Sequence, residues 1–147
     1  MVGTLASLYV EKTLRIGAVY KMEAPELIST SIPHYFIIVA RDCDDNFLVL
    51  CSASKEARVH HIEVMGYDYS TLIFIKPDKK NGLSKDTYVN CNDYYPFSKQ
   101  SLIKKCNEGL LIHTGDISFN HYDQIRTGIH NSFVNDLPSA LLVHPEE

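Results

Sequence analysis

What this sequence lacks narrows it first. No stretch approaches the roughly 20 consecutive apolar residues needed to cross a bilayer. The longest apolar runs, Tyr35 to Ala40 and Leu48 to Cys51, have the length of strands. The opening residues carry no leading Lys or Arg, and Glu11-Lys12 interrupts the apolar stretch too early for a signal peptide. Positive charge is not in excess: 14 Lys and Arg against 18 Asp and Glu leave a formal charge of -4. That balance speaks against a constitutive nucleic-acid binder held by bulk charge, although a local basic groove remains compatible with it. The four cysteines, Cys43, Cys51, Cys91 and Cys106, include no Cys-x-x-Cys pair and no zinc-finger histidines. No metal site is expected from them. A Gly-rich phosphate loop, a His-Glu-x-x-His helix and a Gly-x-Ser-x-Gly elbow are also absent from the sequence, which removes support for those enzyme classes and their cofactors. The expectation is a cytoplasmic chain with reduced thiols and no membrane association, in which Cys51 acts as a small buried hydrophobe.

What is present is ordinary for a globular fold. The 147 residues are 45% hydrophobic and 22% charged, consistent with one domain and a sizeable core. Leu5 to Leu14 gives a weakly helical or irregular opening and Gly17 to Met22 a first strand, followed by a polar loop from Ala24 to Pro33. Tyr35-Phe36-Ile37-Ile38-Val39-Ala40 is a continuous β-branched and aromatic run, the pattern of a strand buried on both faces. Asp42 to Asn46 supplies turn residues, and Phe47 to Ser52 returns as the partner strand, making this hairpin the centre of a sheet. Further strands are expected over Val59 to Met65, Leu72 to Ile75, Thr87 to Cys91 and Leu110 to Ile112, with Pro96 marking a strand exit. Ser98 caps a short helix stopped by Gly109. Ser118 caps a longer one, with Tyr122, Ile125, Ile129 and Phe133 on one face, and Leu137 to Val143 packs back as an apolar tail. About six short strands with hairpin connections predict a mainly β, α+β chain built as a small antiparallel barrel or strongly bent sheet.

The candidate chemistry gathers at the mouth of the hairpin. His34 opens the central strand, and imidazole is the side chain suited to proton transfer near neutral pH. Antiparallel pairing brings the start of one strand beside the end of the next, so Ser52 or Ser54 should neighbour His34. Hydroxyl, imidazole and the Lys55 ammonium together could bind and polarise a phosphate. The bland reading is a half-exposed histidine beside a turn of small polar residues. Arg58-Val59-His60-His61, read as a strand, puts its two histidines on opposite faces, where they chelate nothing. The lysines at 76, 79 and 80 read as a solvated turn, and most of the nine tyrosines as core and loop anchors.

Gly17-Ala18-Val19-Tyr20, Pro33-His34-Tyr35-Phe36-Ile37-Ile38-Val39 and Leu48-Val49-Leu50-Cys51-Ser52-Ala53-Ser54 together resemble the PemK/MazF-like toxin family. Asp86 to Cys91 and the closing Ile125 to Ser132 segment resemble its divergent branch, so the likeness covers roughly 17–132. The resemblance implies an SH3-like barrel and metal-independent cleavage of single-stranded RNA. It also implies a homodimer and an antitoxin protein that fills the RNA groove. The family pairs a basic residue near the start of the second strand with a Thr or Ser at the end of the third. By position these become His34 and Ser52, with Ser54 as the register alternative. Here a histidine stands for the usual arginine and a serine for the usual threonine, and Arg41 and Arg58 are possible substitutes for the missing cation. Two functions follow as expectations: a toxin-like endoribonuclease, with Lys55 or Arg58 balancing charge, and a non-catalytic SH3-like module that binds a peptide or protein in the same groove.

Overall fold

The computed structural model describes residues 4–26, 32–53 and 55–145, with the backbone alone at Ala53 and Lys55. Its strands are β1 (Ala18–Met22), β2 (His34–Arg41), β3 (Asn46–Ala53), β4 (Leu72–Ile75), β5 (Thr87–Asn90), β6 (Tyr95–Ser98) and β7 (Leu111–Asp116). The helices are α1 (Leu5–Thr13), α2 (Lys55–Met65), α3 (Lys99–Asn107) and α4 (Phe119–His130). All pairings are antiparallel, in the order β4-β5-β3-β2-β1-β7, with β6 pairing β3 beside that path.

The expected central hairpin is β2–β3, and its turn follows from Asp42. That carboxylate accepts from the backbone N–H of Asn46 and of Asp44, each at 2.9 Å, and these bonds hold it below the usual carboxylate range. Strand alternation then sends side chains into two cores. On one face Val19, Ile37, Leu48, Leu50 and Val89 meet Ile125 and Ile129 of α4. On the other, Tyr20, Phe36, Ile38, Val49 and Cys51 meet Val10 of α1 and Leu102 of α3. Both faces of β2 are therefore covered, which is why its sequence is apolar throughout.

Local capping chemistry behaves as the sequence predicts. The Ser98 and Ser118 hydroxyls accept from the N–H of Ser101 and His121 at the starts of α3 and α4. Gly109 takes a positive φ of 75° after α3. Leu137 and Leu142 are buried, so the closing tail does pack back.

Four expectations are corrected. Val59 to Met65 lies in helix α2, not in a strand: Ile62 is fully buried while Glu56, His60, Glu63 and Val64 face out. Its β-branched residues favour a strand, but packing over β5 and β4 outweighs so weak a propensity. Pro96 sits inside β6, where it is tolerated because β6 pairs only with β3. Phe133 lies past the end of α4 and is 90% exposed. Finally, the sheet is mainly antiparallel as expected but does not close into a true barrel; its path ends at β4 and β7. The β4–β5 loop bridges that opening, where the Asp116 N–H donates to the Lys80 carbonyl at 2.7 Å.

One buried hydrogen bond ties α4 to the hairpin. The β2–β3 register slips between Ile38 and Ala40, and the Tyr122 hydroxyl donates to the Val39 carbonyl at that slip, at 2.7 Å. Tyr122→Phe would leave this carbonyl unpaired in the core and should cost about 1–3 kcal/mol, read from urea unfolding. A loss below a few tenths of that range would show that the bond is not stabilising. Among the described residues, no helix is long and apolar enough to cross a membrane.

Candidate functional site

The chemically richest part of the molecule is a seam along the outer edge of β3. That edge pairs with β6 over Asn46 to Val49 and with β5 at Ser52 and Ala53. Between them, at Leu50 and Cys51, neither strand pairs with it. The chain leaves β3, turns at once into α2, and Arg58, on the first turns of that helix, reaches back to this gap. Its Nη2 donates to the Cys51 carbonyl at 2.7 Å, while its buried Nε takes no partner. A guanidinium suits this position because its rigid fork can satisfy a backbone carbonyl and still present other N–H groups.

Several polar groups surround the guanidinium. Burial pushes the Cys51 thiol up, with Arg58 pulling the opposite way. Tyr95, paired with Val49 across β6, has its phenol pushed up by burial and by Asp93, again with Arg58 opposing. Both therefore keep their protons at neutral pH and remain able to donate a hydrogen bond. Three residues after Arg58 on α2, His61 brings its Nε2 to 3.7 Å from Asp93 Oδ2 and stands edge-on to Tyr67.

His34 lies at the open end of the same hairpin. Its Nδ1 is 2.9 Å from the Ile32 carbonyl. A carbonyl only accepts, so Nδ1 carries the proton and Nε2 is left with the free lone pair of a base. Phe36 pairs with Cys51, and His34 is two residues before Phe36, so His34 shares a sheet face with Cys51 and with the Tyr95 side of the seam.

The other sequence-predicted residues are placed differently. Ser52 points to the opposite face, is 3% exposed, and donates from Oγ to the Tyr35 carbonyl at 3.0 Å. His34 and Ser52 are thus close in the ladder but separated by the sheet. Ser54 and the side chain of Lys55 lie outside the described residues. Arg41 ends β2, seven residues from His34 and on the order of 20 Å away along the strand. There it pairs with Asp45 at 2.8 Å and covers the Phe47 ring. Of the two candidate arginines, Arg58 is the one held near the open end of the hairpin, on the carbonyl of Cys51, whose ladder partner Phe36 lies two residues from His34.

The sequence reading gave no role to Asp93, Asn90 or Tyr95, because nothing local links them to α2. Among the described residues, no group of three or more His, Cys, Asp or Glu side chains is placed to hold a metal ion.

No family model and no curated protein sequence matches this chain. A solved structure described as an endoribonuclease from a mycobacterial species is similar in fold, with a TM-score of 0.52 at 12% identity. The likeness covers 86% of this chain and 96% of that one.

Proposed function

We propose that the protein is a toxin-like endoribonuclease that cleaves single-stranded RNA without a metal, through the RNA's own 2′-hydroxyl. The observation that carries this reading is a histidine whose Nδ1 is held by the Ile32 carbonyl, at the same end of the hairpin as an arginine anchored on the Cys51 carbonyl. The shared fold with an endoribonuclease and the resemblance of the hairpin to the PemK/MazF-like family support it. In the reaction, His34 Nε2 takes the proton from the 2′-oxygen as that oxygen bonds to phosphorus. The P–O5′ bond breaks, leaving a 2′,3′-cyclic phosphate and a 5′-hydroxyl. Arg58 stabilises the charge that builds on the phosphoryl oxygens. Ser52 supports β2 through Tyr35, and Ser54 and Lys55 remain proposed contacts to the phosphate at the mouth of the hairpin.

The test is incubation of purified protein with a mixed single-stranded RNA pool, with and without EDTA. His34→Ala should lose about 10²- to 10⁴-fold in rate, the usual contribution of a positioned general base. Equal cleavage by both proteins would remove His34 from the mechanism, and loss of activity in EDTA would remove the metal-independent claim. The same reading includes a homodimer, a cytoplasmic location and an antitoxin protein partner. Light scattering and co-expression with a neighbouring small gene check the dimer and the antitoxin.

A second reading, a non-catalytic peptide-binding module, is favoured by one feature. A groove of about 660 Å³ runs between β6 and α3, with Pro25, Pro96, Phe97 and Leu110 among its lining. Capture of a defined partner peptide by protein that cleaves no RNA would decide for it.

A further inference from the structure

Cleavage through a 2′-hydroxyl moves two protons: one leaves the attacking oxygen, and another must reach the departing 5′-oxygen. His34 supplies the first transfer. We propose that His61, oriented by Asp93, is the general acid that supplies the second. This rests on the ribonuclease reading and names the group that reading leaves unassigned.

The placement follows from the helix. Arg58 and His61 are three residues apart on α2 and lie on one side of it, so the imidazole stands beside the guanidinium that would hold the phosphate. The His61 side chain is 37% exposed, yet its Nε2 is enclosed and takes no hydrogen bond. The exposure therefore falls on the rest of the ring, while Nε2 is turned inward to Asp93 at 3.7 Å. Catalytic contacts are often this long before substrate binds. A carboxylate facing one ring nitrogen fixes the orientation of the ring.

The carboxylate is itself held by an unusual amount of buried polar structure. Asp93 Oδ2 accepts from Asn90 Nδ2 at 3.1 Å. Asn90 Oδ1 accepts from the Asn92 N–H at 3.0 Å and from Asn92 Nδ2 at 2.9 Å. Asn92 Nδ2 also donates to Thr71 Oγ1 at 2.7 Å, and Asn92 Oδ1 accepts from Ser132 Oγ at 2.8 Å. Asn90 and Asn92 are each only 3% exposed. Two interior amides joined to the turn before β4 and to the segment after α4 thus converge on one half-exposed carboxylate and the ring it faces. Burying amides requires satisfying every donor and acceptor, and a solvated surface aspartate needs no such support. The arrangement is that of a ligand orienting a histidine from behind. The other groups around the dyad are Tyr67 and Tyr95, both kept protonated, and Arg58, permanently charged.

In the completed step the 2′-oxygen–phosphorus bond forms and the P–O5′ bond breaks. His34 Nε2 gains the 2′-proton, His61 gives the proton on Nδ1, the nitrogen not turned to Asp93, to the 5′-oxygen, and the two histidines end with exchanged protonation states. The decisive experiment uses two substrates, ordinary RNA and RNA with sulfur replacing the bridging 5′-oxygen at the cleaved linkage. A thiolate leaves without being protonated, so it bypasses a general acid. His61→Ala and His61→Gln, checked for native circular dichroism, should lose about 10²- to 10⁴-fold on ordinary RNA and cleave the sulfur substrate at nearly the wild-type rate. His34→Ala should be impaired on both. Asp93→Ala should slow cleavage of ordinary RNA and leave the sulfur substrate nearly untouched, as expected of a residue that acts through His61. Undiminished cleavage of ordinary RNA by the His61 variants, or equal loss on both substrates, overturns the dyad and leaves the ribonuclease reading standing. Failure of the wild-type protein to cleave either substrate overturns both together.

Discussion

Gly82→Ala is expected to lower the thermal midpoint by about 10 °C, because two backbones meet where its side chain would go. Gly82 has φ +65°, and an added Cβ would fall 1.9 Å from the Thr114 carbonyl oxygen and 2.5 Å from its carbon. Neither atom belongs to a flexible side chain. Gly115 faces the same junction from the other side, with its absent Cβ 2.1 Å from the Lys80 carbonyl oxygen. This close approach is what allows the β4–β5 loop to lie on β7 and cover the opening in the sheet. The loop is rigid for a visible reason: buried Asn81 accepts from the Asp78 and Leu83 N–H groups through Oδ1 and donates to the Lys76 carbonyl through Nδ2. Left-handed backbone costs a non-glycine residue about 1–2 kcal/mol, and forcing atoms into a packed junction about 1–3 kcal/mol more. Together, about 3 kcal/mol corresponds to a shift of about 10 °C in a chain of this size. Gly66→Ala is the control. Its φ is +71° but nothing lies within 4 Å of the added Cβ, so only the backbone term applies. Equal midpoints for the two variants, read by circular dichroism, would show that the junction yields freely.

Arg58→Leu should damage both activity and stability, and the two losses have separate causes. The activity loss, about 10²- to 10³-fold in kcat, is what the proposed mechanism requires when the guanidinium assigned to the developing phosphoryl charge is removed. The stability loss, about 1–3 kcal/mol, follows from the Cys51 carbonyl, which loses its donor where neither β5 nor β6 can replace it. Arg58→Lys separates them. An ammonium keeps the charge but cannot fork between the carbonyl and a phosphate, so it should recover much of one property at the expense of the other. RNA cleavage and urea unfolding measured on the same preparations check this. Full activity in Arg58→Leu would make the residue a plug in the sheet and nothing more.

These two sites differ sharply in how visible they were beforehand. The β2–β3 hairpin, the Asp42 turn, the caps at Ser98 and Ser118 and the returning tail at Leu137 and Leu142 were all readable. Each depends on a few neighbouring residues whose side chains bond to their own backbone or repeat at a fixed period. His34 was readable as a candidate base for the same reason: it stands at the mouth of an unmistakable strand. Arg58 was visible only as one of several spare cations, because its value depends on a gap left by two strands distant in sequence. The Gly82–Gly115 contact left no trace at all, since a glycine's need for space is set by whatever packs against it.

The sequence by itself determined where the chain turns, which runs are apolar on both sides, and that a histidine begins the central strand. Those are consequences of local backbone preference and side-chain periodicity. Tertiary structure alone decided that 55–65 is a helix, that Pro96 lies within a strand, and that the sheet stays open. It also decided the face on which each reactive group stands. A strand reverses its side chains at every residue, so His34 and Ser52, adjacent in the ladder, are parted by the sheet. A helix laid across the seam instead brings Arg58 to the Cys51 carbonyl and His61 to Asp93.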